Sequence, residues 1–89
     1  MVTVEFAPSL RRHVDCPPQS VAPGSLRAVL DTAMAVAPQL AHYVFDDQRA
    51  VRKHVAVFVN RQMVQDRSSL NQPVSAGDHV LVIQALTGG

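Results

Sequence analysis

The sequence predicts an α+β domain of two layers, in which one amphipathic helix covers one face of a small sheet. Three observations lead to this prediction. The elements follow the order strand, strand, helix, strand, short strand, strand. Only one segment keeps a sustained helical period, and a single helix can cover only one face of such a sheet. The chain has 89 residues, of which 47% are apolar, enough for one modest core.

The strands are indicated by alternating and β-branched residues. Val2, Val4 and Phe6 fall on one side of the first strand, with Thr3 and Glu5 on the other. The same criteria predict further strands at residues 19–22, 54–59, 63–64 and 79–85. Residues 54–59 are almost continuously apolar, which is typical of an interior strand.

The main helix follows a turn made by Pro23, Gly24 and Ser25. The Ser25 hydroxyl is placed to accept a hydrogen bond from an amide of the first helical turn. Behind it, apolar residues recur at helical spacing, at Leu26, Val29, Leu30, Ala33 and Ala37. Pro38 is expected to end or kink this helix, because its ring removes an amide donor and clashes with the preceding turn. Residues 39–45 are predicted to add a short helical turn.

Composition narrows the possible functions. The net charge is +1 and the basic residues are scattered, so the sequence lacks the clustered positive charge that nucleic-acid binding requires. No apolar run approaches the roughly 18 residues that span a bilayer, and the N-terminus lacks the pattern of a signal peptide. We therefore expect a cytoplasmic protein with no nucleic-acid partner and no membrane partner.

The residues that commonly carry catalysis or bind metals give no strong signal. Cys16 is the only cysteine, which rules out an internal disulfide and a site of several thiolates. The four histidines lack the helical spacing of a zinc protease, at His13, His42, His54 and His79. Asp46 and Asp47 are adjacent, so their side chains point apart, and a solvated turn is the better interpretation. We expect no metal, no catalytic residue and no stably bound cofactor.

Three segments together resemble the MoaD/ThiS family of ubiquitin-like sulfur carriers. They are Val-Phe-Val-Asn at residues 57–60, Ala-Gly-Asp-His-Val at residues 76–80, and the final pair Gly88 and Gly89. Each is weak or moderate alone, but they occur in register over nearly the whole chain. The resemblance implies a β-grasp fold with a mixed four- to five-stranded sheet packed on one main helix. Residues 1–87 would form this single domain and residues 88–89 a flexible C-terminal tail.

The resemblance also implies a defined chemistry. An ATP-dependent adenylyltransferase of the ubiquitin-activating type converts the carboxylate of Gly89 to an acyl-adenylate. A sulfur donor, a rhodanese or a cysteine desulfurase, then replaces AMP and leaves a thiocarboxylate that an acceptor enzyme uses. Gly88 and Thr87 complete the tail, where glycine has no side chain to obstruct a narrow channel and leaves the terminus mobile. ATP is used by the partner, and the chain is a co-substrate rather than an enzyme.

Matching the family position by position places the adenylyltransferase contact on the open sheet face at Phe6, Met63 and Ile83. Exposed apolar clusters often mark interfaces. The alternation of side chains along the first strand argues against an exposed position for Phe6, because Phe6 lies on the same side of the strand as Val2 and Val4.

Two other functions stay open from the sequence. The chain could be the small subunit of a molybdopterin-synthase-type complex, although Gln84 and Ala85 stand where that subfamily usually has two prolines. It could instead be a ubiquitin-like protein modifier that joins Gly89 to lysines. The C-terminal sequence and the extra residues between Pro38 and Lys53 are more similar to those of carriers that serve cysteine or secondary-metabolite pathways.

Overall fold

The structure is a computed structural model that describes residues 1–11 and 16–84. Within these residues, ten elements follow one another: β1 (Val2–Phe6), α1 (Pro8–Arg11), β2 (Gln19–Val21), β3 (Gly24–Ser25), α2 (Leu26–Met34), α3 (Pro38–Val44), β4 (Val55–Val59), β5 (Gln62–Met63), β6 (Pro73–Val74) and β7 (His79–Gln84). Five strands form one sheet in the order β2-β1-β7-β4-β5, and β3 pairs with β6 in a separate two-stranded sheet.

The last strand, β7, lies in the middle of the five-stranded sheet. It runs parallel to β1, where Val4 lies opposite Val80, and antiparallel to β4, where Phe58 lies opposite Leu81. The outer pairs, β1 with β2 and β4 with β5, are antiparallel. Because both neighbours hydrogen-bond to β7, the register of this strand is fixed from two sides.

The core lies between this sheet and α2. The side chains of β1 alternate strictly between buried and exposed, and Val80 and Val82 of β7 are fully buried. Helix α2 contributes its apolar stripe to the same core through Leu26, Val29, Leu30, Ala33 and Met34. Burial of this face drives the packing of the two layers, at roughly 25 cal/mol per Å² of apolar surface removed from water.

The start of α2 is fixed by a cap and by the small second sheet. The Ser25 hydroxyl accepts a hydrogen bond from the Ala28 amide at 3.1 Å, as the sequence predicts. The Leu26 amide donates to the Gln72 carbonyl at 2.9 Å, which continues the contact between β3 and β6. This arrangement ties the helix to the polar segment that precedes β7.

The region between α3 and β4 packs around one buried aromatic ring. Phe45 is buried, and the guanidinium groups of Arg27 and Arg49 lie 5.2 and 5.3 Å from its ring centroid. Arg49 also pairs with Asp31 of α2 at 2.6 Å. Arg67 donates to backbone carbonyls of Val51, Arg52 and Val55. The extra residues noted in the sequence are therefore attached to α2 by aromatic and polar contacts.

The predicted elements agree with the structure, with a few differences. The main helix ends at Met34, and Pro38 begins the separate helix α3 rather than kinking a longer one. Helix α1, β3 and β6 are additional short elements, each of two to four residues. Within the described ranges, no helix is long and apolar enough to cross a membrane.

Candidate functional site: the open sheet face

The face of the sheet opposite α2 carries a row of side chains that crosses four strands. Strand register places Glu5, Leu81, Phe58 and Met63 side by side in that order. Ile83 lies two residues along β7 on the same face, opposite Ala56. Leu81, Phe58 and Ile83 are only partly buried, and Met63 is 51% exposed. We call this surface, defined by Phe58, Met63, Leu81 and Ile83, the open-face cluster.

A shallow depression lies over part of this cluster. Phe58, Leu81 and Ile83 form its apolar floor, and the polar residues Asn60, Arg61 and His79 form one end. Four large apolar side chains lie on the same face of adjacent strands, and apolar patches of this kind commonly mark interaction sites. The depression can accept an apolar side chain from another protein.

Of the three residues that the sequence comparison places on the open face, the structure contradicts the placement of one. Met63 and Ile83 do lie on the open face. Phe6 does not, because it is 1% exposed and packs in the core with Val2 and Val4. A strand turns alternate side chains to opposite faces, so all three residues point towards α2.

Phe58 and Leu81 are the members of the cluster that sequence reasoning missed. Leu81 and Ile83 are two residues apart in β7, so their side chains lie on the same face of the sheet. A prediction that places Ile83 on the open face therefore also places Leu81 there. Phe58 lies directly opposite Leu81. That pairing depends on the register of β4 against β7, which the nearly uniform apolar sequence of both strands does not reveal.

The polar end of the face is built on a hydrogen-bonded link between two turns. The Asn60 side-chain amide donates to Asp78 Oδ1 at 2.9 Å, and the His79 amide donates to Asn60 Oδ1 at 2.9 Å. The Ser75 amide donates to Asp78 Oδ2 at 2.8 Å, which closes the turn at Gly77, where φ is +89°. Two of the segments that carry the family resemblance are thus in direct contact.

These hydrogen bonds also set the ionisation of Asp78. The Asn60 side-chain amide, and after it the Ser75 backbone N–H, lower the pKa of Asp78 below its ordinary value of 3.8. Both donors stabilise the charged carboxylate. Asp78 is therefore ionised at neutral pH and acts as a structural link between turns.

Several of the remaining residues that commonly carry catalysis or bind metals take part in local contacts in the part of the chain that is described. His79 pairs with Glu5 at 3.0 Å on the open face. Asp46 accepts hydrogen bonds from the amides of Gln48 and Ala50, so it stabilises its own loop. Cys16 is buried. Over residues 1–11 and 16–84, no three His, Cys, Asp or Glu side chains gather closely enough to hold a metal ion.

The predicted tail residues Thr87, Gly88 and Gly89 lie outside the described residues, as does His13. The described part of β7 ends at Gln84, which lies opposite Val55. Gln84 lies at the end of the sheet opposite the Asn60–Asp78 link, and Gly89 is five positions further along the sequence.

The five-stranded mixed sheet packed on α2 is a β-grasp, ubiquitin-like fold. Within this class, the sequence profile of the ThiS family matches residues 18–89, and the chain belongs to that family. Proteins of this family are carriers that serve as substrates of E1-like enzymes, so the chain is not itself a catalyst.

Several solved structures share the fold. SAMP1 from Haloferax volcanii has a TM-score of 0.78 at 19% identity, covering 99% of this chain and 98% of that one. CysO from Mycobacterium tuberculosis has a TM-score of 0.78 at 24% identity, covering 97% and 100%. A chain of the Amycolatopsis orientalis BexX/CysO complex has a TM-score of 0.78 at 22% identity and full coverage of both chains. Among curated proteins, none matches significantly.

Proposed function

We propose that the chain carries sulfur as a thiocarboxylate on Gly89. The observation that carries this proposal is the match to the ThiS family, which runs through residues 88–89. A carboxylate is a poor acyl donor until its leaving group is improved. The Gly89 carboxylate oxygen attacks the α-phosphorus of ATP and releases pyrophosphate. The terminal sulfur of a donor persulfide then attacks the acyl carbon, and AMP leaves. A thiol reductant cleaves the S–S bond of the resulting acyl disulfide, and the thiocarboxylate remains; free sulfide gives the same product directly.

The tail sequence supports this chemistry. Gly88 and Gly89 have no side chains, so they fit a channel that admits only backbone. Thr87 is the first residue before them that has a side chain. Together, residues 87–89 are the segment that we propose enters the partner's active site.

The open-face cluster is the surface that we propose docks on the adenylating enzyme. Met63 and Ile83 belong to it, and Phe58 and Leu81 take the place assigned from sequence to Phe6. Support comes from their partial exposure and from the position of Leu81 and Ile83 on β7, the strand that precedes the tail in the sequence. Burying these side chains against a partner removes apolar surface from water, which favours association.

The sulfur donor in this proposal is a rhodanese or a cysteine desulfurase, and the final acceptor is a biosynthetic enzyme. The acceptor makes cysteine, a cofactor or a secondary metabolite. The Amycolatopsis CysO of the same fold occurs in a complex with BexX. We propose that an acceptor enzyme docks this chain in a comparable carrier role. Because the activation step consumes ATP, we place the carrier in the cytoplasm.

The direct test is mass spectrometry of the intact protein. The chain is incubated with ATP and the E1-like enzyme of its own genome, and an AMP adduct is expected at Gly89. Adding sulfide should then raise the mass of the unmodified chain by the difference between one sulfur and one oxygen atom. A variant that lacks Gly88 and Gly89 is the control and should fold normally but form neither product. Failure of the intact chain to be adenylated would contradict the proposal.

The same material separates the alternatives. A protein modifier would give branched peptides in which Gly89 is joined to lysines of other proteins. A molybdopterin-synthase subunit would co-purify in a stable complex with a larger subunit and a pterin. A thiocarboxylate without either product supports the free carrier.

A further inference from the structure

Arg61 differs from the other arginines whose side chains the structure describes. Those four use their guanidinium groups inside the fold: Arg27 donates to the Ser68 carbonyl, Arg49 pairs with Asp31, Arg52 donates to the His42 carbonyl, and Arg67 donates to three carbonyls. Arg61 is exposed and makes no hydrogen bond or ion pair with residues 1–11 or 16–84. Its charge has no structural use within that part of the protein.

The backbone holds Arg61 in an unfavourable conformation. Asn60 and Arg61 form the tight turn between β4 and β5, with φ of +50° and +72°. Asparagine tolerates the left-handed region, and glycine is the usual second residue of such a turn, whereas a long side chain is disfavoured there. The fold alone therefore favours glycine at position 61, and a charged side chain at this site is retained at a conformational cost.

The backbone position of Arg61 is nevertheless fixed. Asn60 is held by Asp78 and by the His79 amide, both at 2.9 Å, so the turn cannot move independently of the sheet. Arg61 lines the same depression as Phe58, Leu81 and Ile83. A cation is thus anchored at one end of the open-face cluster.

The other ionisable side chains on this face have hydrogen-bond partners within the fold, which distinguishes them from Arg61. Glu5 and His79 face each other at 3.0 Å on the β1 side, and both oxygens of Asp78 accept hydrogen bonds from Asn60 and Ser75. The cluster therefore has an apolar centre, and Arg61 is a cation that lines it without an ion pair to residues 1–11 or 16–84. Apolar contact has little directional preference, whereas charges fix the register of an interface.

We propose that Arg61 pairs with an acidic side chain of the adenylating enzyme and sets the orientation in which the carrier docks. This inference rests on the proposed function. Strand β7 runs away from Arg61 towards the tail, and its six residues span about 17 Å at roughly 3.3 Å per residue. A contact at the far end of the sheet fixes the direction in which β7 points on the enzyme, and therefore where Gln84 lies. Arg61 is thus a positioning residue for Gly89.

The test measures KM and kcat for adenylation with the chain as the varied substrate. Asn and Asp both tolerate a positive φ, so Arg61→Asn and Arg61→Asp change the charge without adding backbone strain. We expect KM to rise about threefold for Arg61→Asn and about tenfold for Arg61→Asp, because one exposed ion pair is lost and then replaced by repulsion. Arg61→Lys keeps the charge and should recover most of the affinity.

Arg49 provides a matched control. It is also an exposed arginine at positive φ, with φ of +65°, but it pairs with Asp31 on the helical side. Arg49→Asn and Arg49→Asp should leave KM unchanged. Raising the salt concentration should weaken docking of the parent chain more than that of Arg61→Asn, since salt screens exposed pairs.

Each result decides between the alternatives. Equal KM values for Arg61→Asp and Arg49→Asp, with the parent chain adenylated normally, would overturn this inference and leave the carrier function intact. A parent chain that no E1-like enzyme adenylates would overturn the proposed function itself. Light scattering of the chain alone checks another occupant: a dimer that Arg61→Asp dissociates would assign the face to a second copy and refute the pairing with the enzyme.

Discussion

The two faces of strand β7 use almost the same amino acids for different purposes. Val80 and Val82 are fully buried beneath the helical layer, whereas Leu81 and Ile83 are only partly buried on the other face. An antiparallel sheet that faces water on one side usually places polar residues there. The apolar residues that remain on the open face of this sheet therefore support the proposal that a partner docks there.

The two faces also differ in what fixes their geometry. The helix-covered face is held by packing among core side chains, which tolerate little change in volume. The open face is framed by the hydrogen bonds of Asn60 and Asp78 at one end. Mutations on the first face should reduce stability, and mutations on the second should reduce docking.

The largest expected effect separates two phenylalanines. Phe6 is 1% exposed in the core, whereas Phe58 is only partly buried on the open face. Phe6→Ala should lower the free energy of unfolding by about 3–5 kcal/mol, because it leaves a cavity. Phe58→Ala should cost less than half as much, since its surroundings include solvent. Urea unfolding followed by circular dichroism measures both, and equal losses would contradict the distinction between the faces.

The assignment of Phe6 shows how far the sequence could predict this site. Alternation in β1 places Phe6 beside Val2 and Val4, and the structure confirms that parity. The family resemblance assigned it to the opposite face, and that assignment is wrong. In β7 the apolar run carries no alternation, so only its pairing with β1 and β4 determines which residues are buried.

The short elements were beyond prediction for a different reason. Strands β3 and β6 have two residues each, and Gly24, Ser25 and Pro73 lack strand propensity. They pair because α2 and the segment before β7 are brought together by the core. The main helix and the strands with strong patterns were predicted correctly, since their period alone determines the buried side.

The next largest effect should appear in docking rather than in folding. Leu81→Ala removes a central side chain of the open-face cluster and should raise KM for adenylation about tenfold, as truncation of an interface anchor commonly does. Val36→Ala is the control, because Val36 is 64% exposed on the helical side between α2 and α3. An unchanged KM for Leu81→Ala would remove the cluster from the interface. The value of kcat should change little in either variant.

A smaller effect is expected at the link between the turns, and it depends on pH. The pKa of Asp78 is lowered in the folded protein by Asn60 and Ser75, so its contribution to stability is complete above the ordinary value of 3.8. It is lost as the pH falls below that value towards the folded pKa. Asp78→Asn should therefore be less stable than the parent chain at pH 7, and the difference should shrink in acid.

Urea midpoints at pH 7 and pH 3 measure this difference. Asp66, whose pKa is lowered chiefly by the Ser69 hydroxyl, titrates in both proteins and cancels in the comparison. A difference between the parent chain and Asp78→Asn that stays constant with pH would show that the carboxylate charge does not support the turn.

The smallest expected effect on stability has the opposite sign. Arg61 has φ of +72°, and glycine adopts this conformation without a steric penalty. Arg61→Gly should therefore raise the free energy of unfolding by about 1 kcal/mol, because relief of the strain at a left-handed residue is partly offset by the greater conformational freedom that glycine loses on folding. The same variant should dock more weakly, because it lacks the cation at the end of the cluster. Thermal unfolding and the KM for adenylation measure the two effects on one protein.

A variant that gains stability and keeps its KM would mean that position 61 serves only the turn. A gain in stability with a loss of docking would show that the open face keeps a residue that the fold alone disfavours.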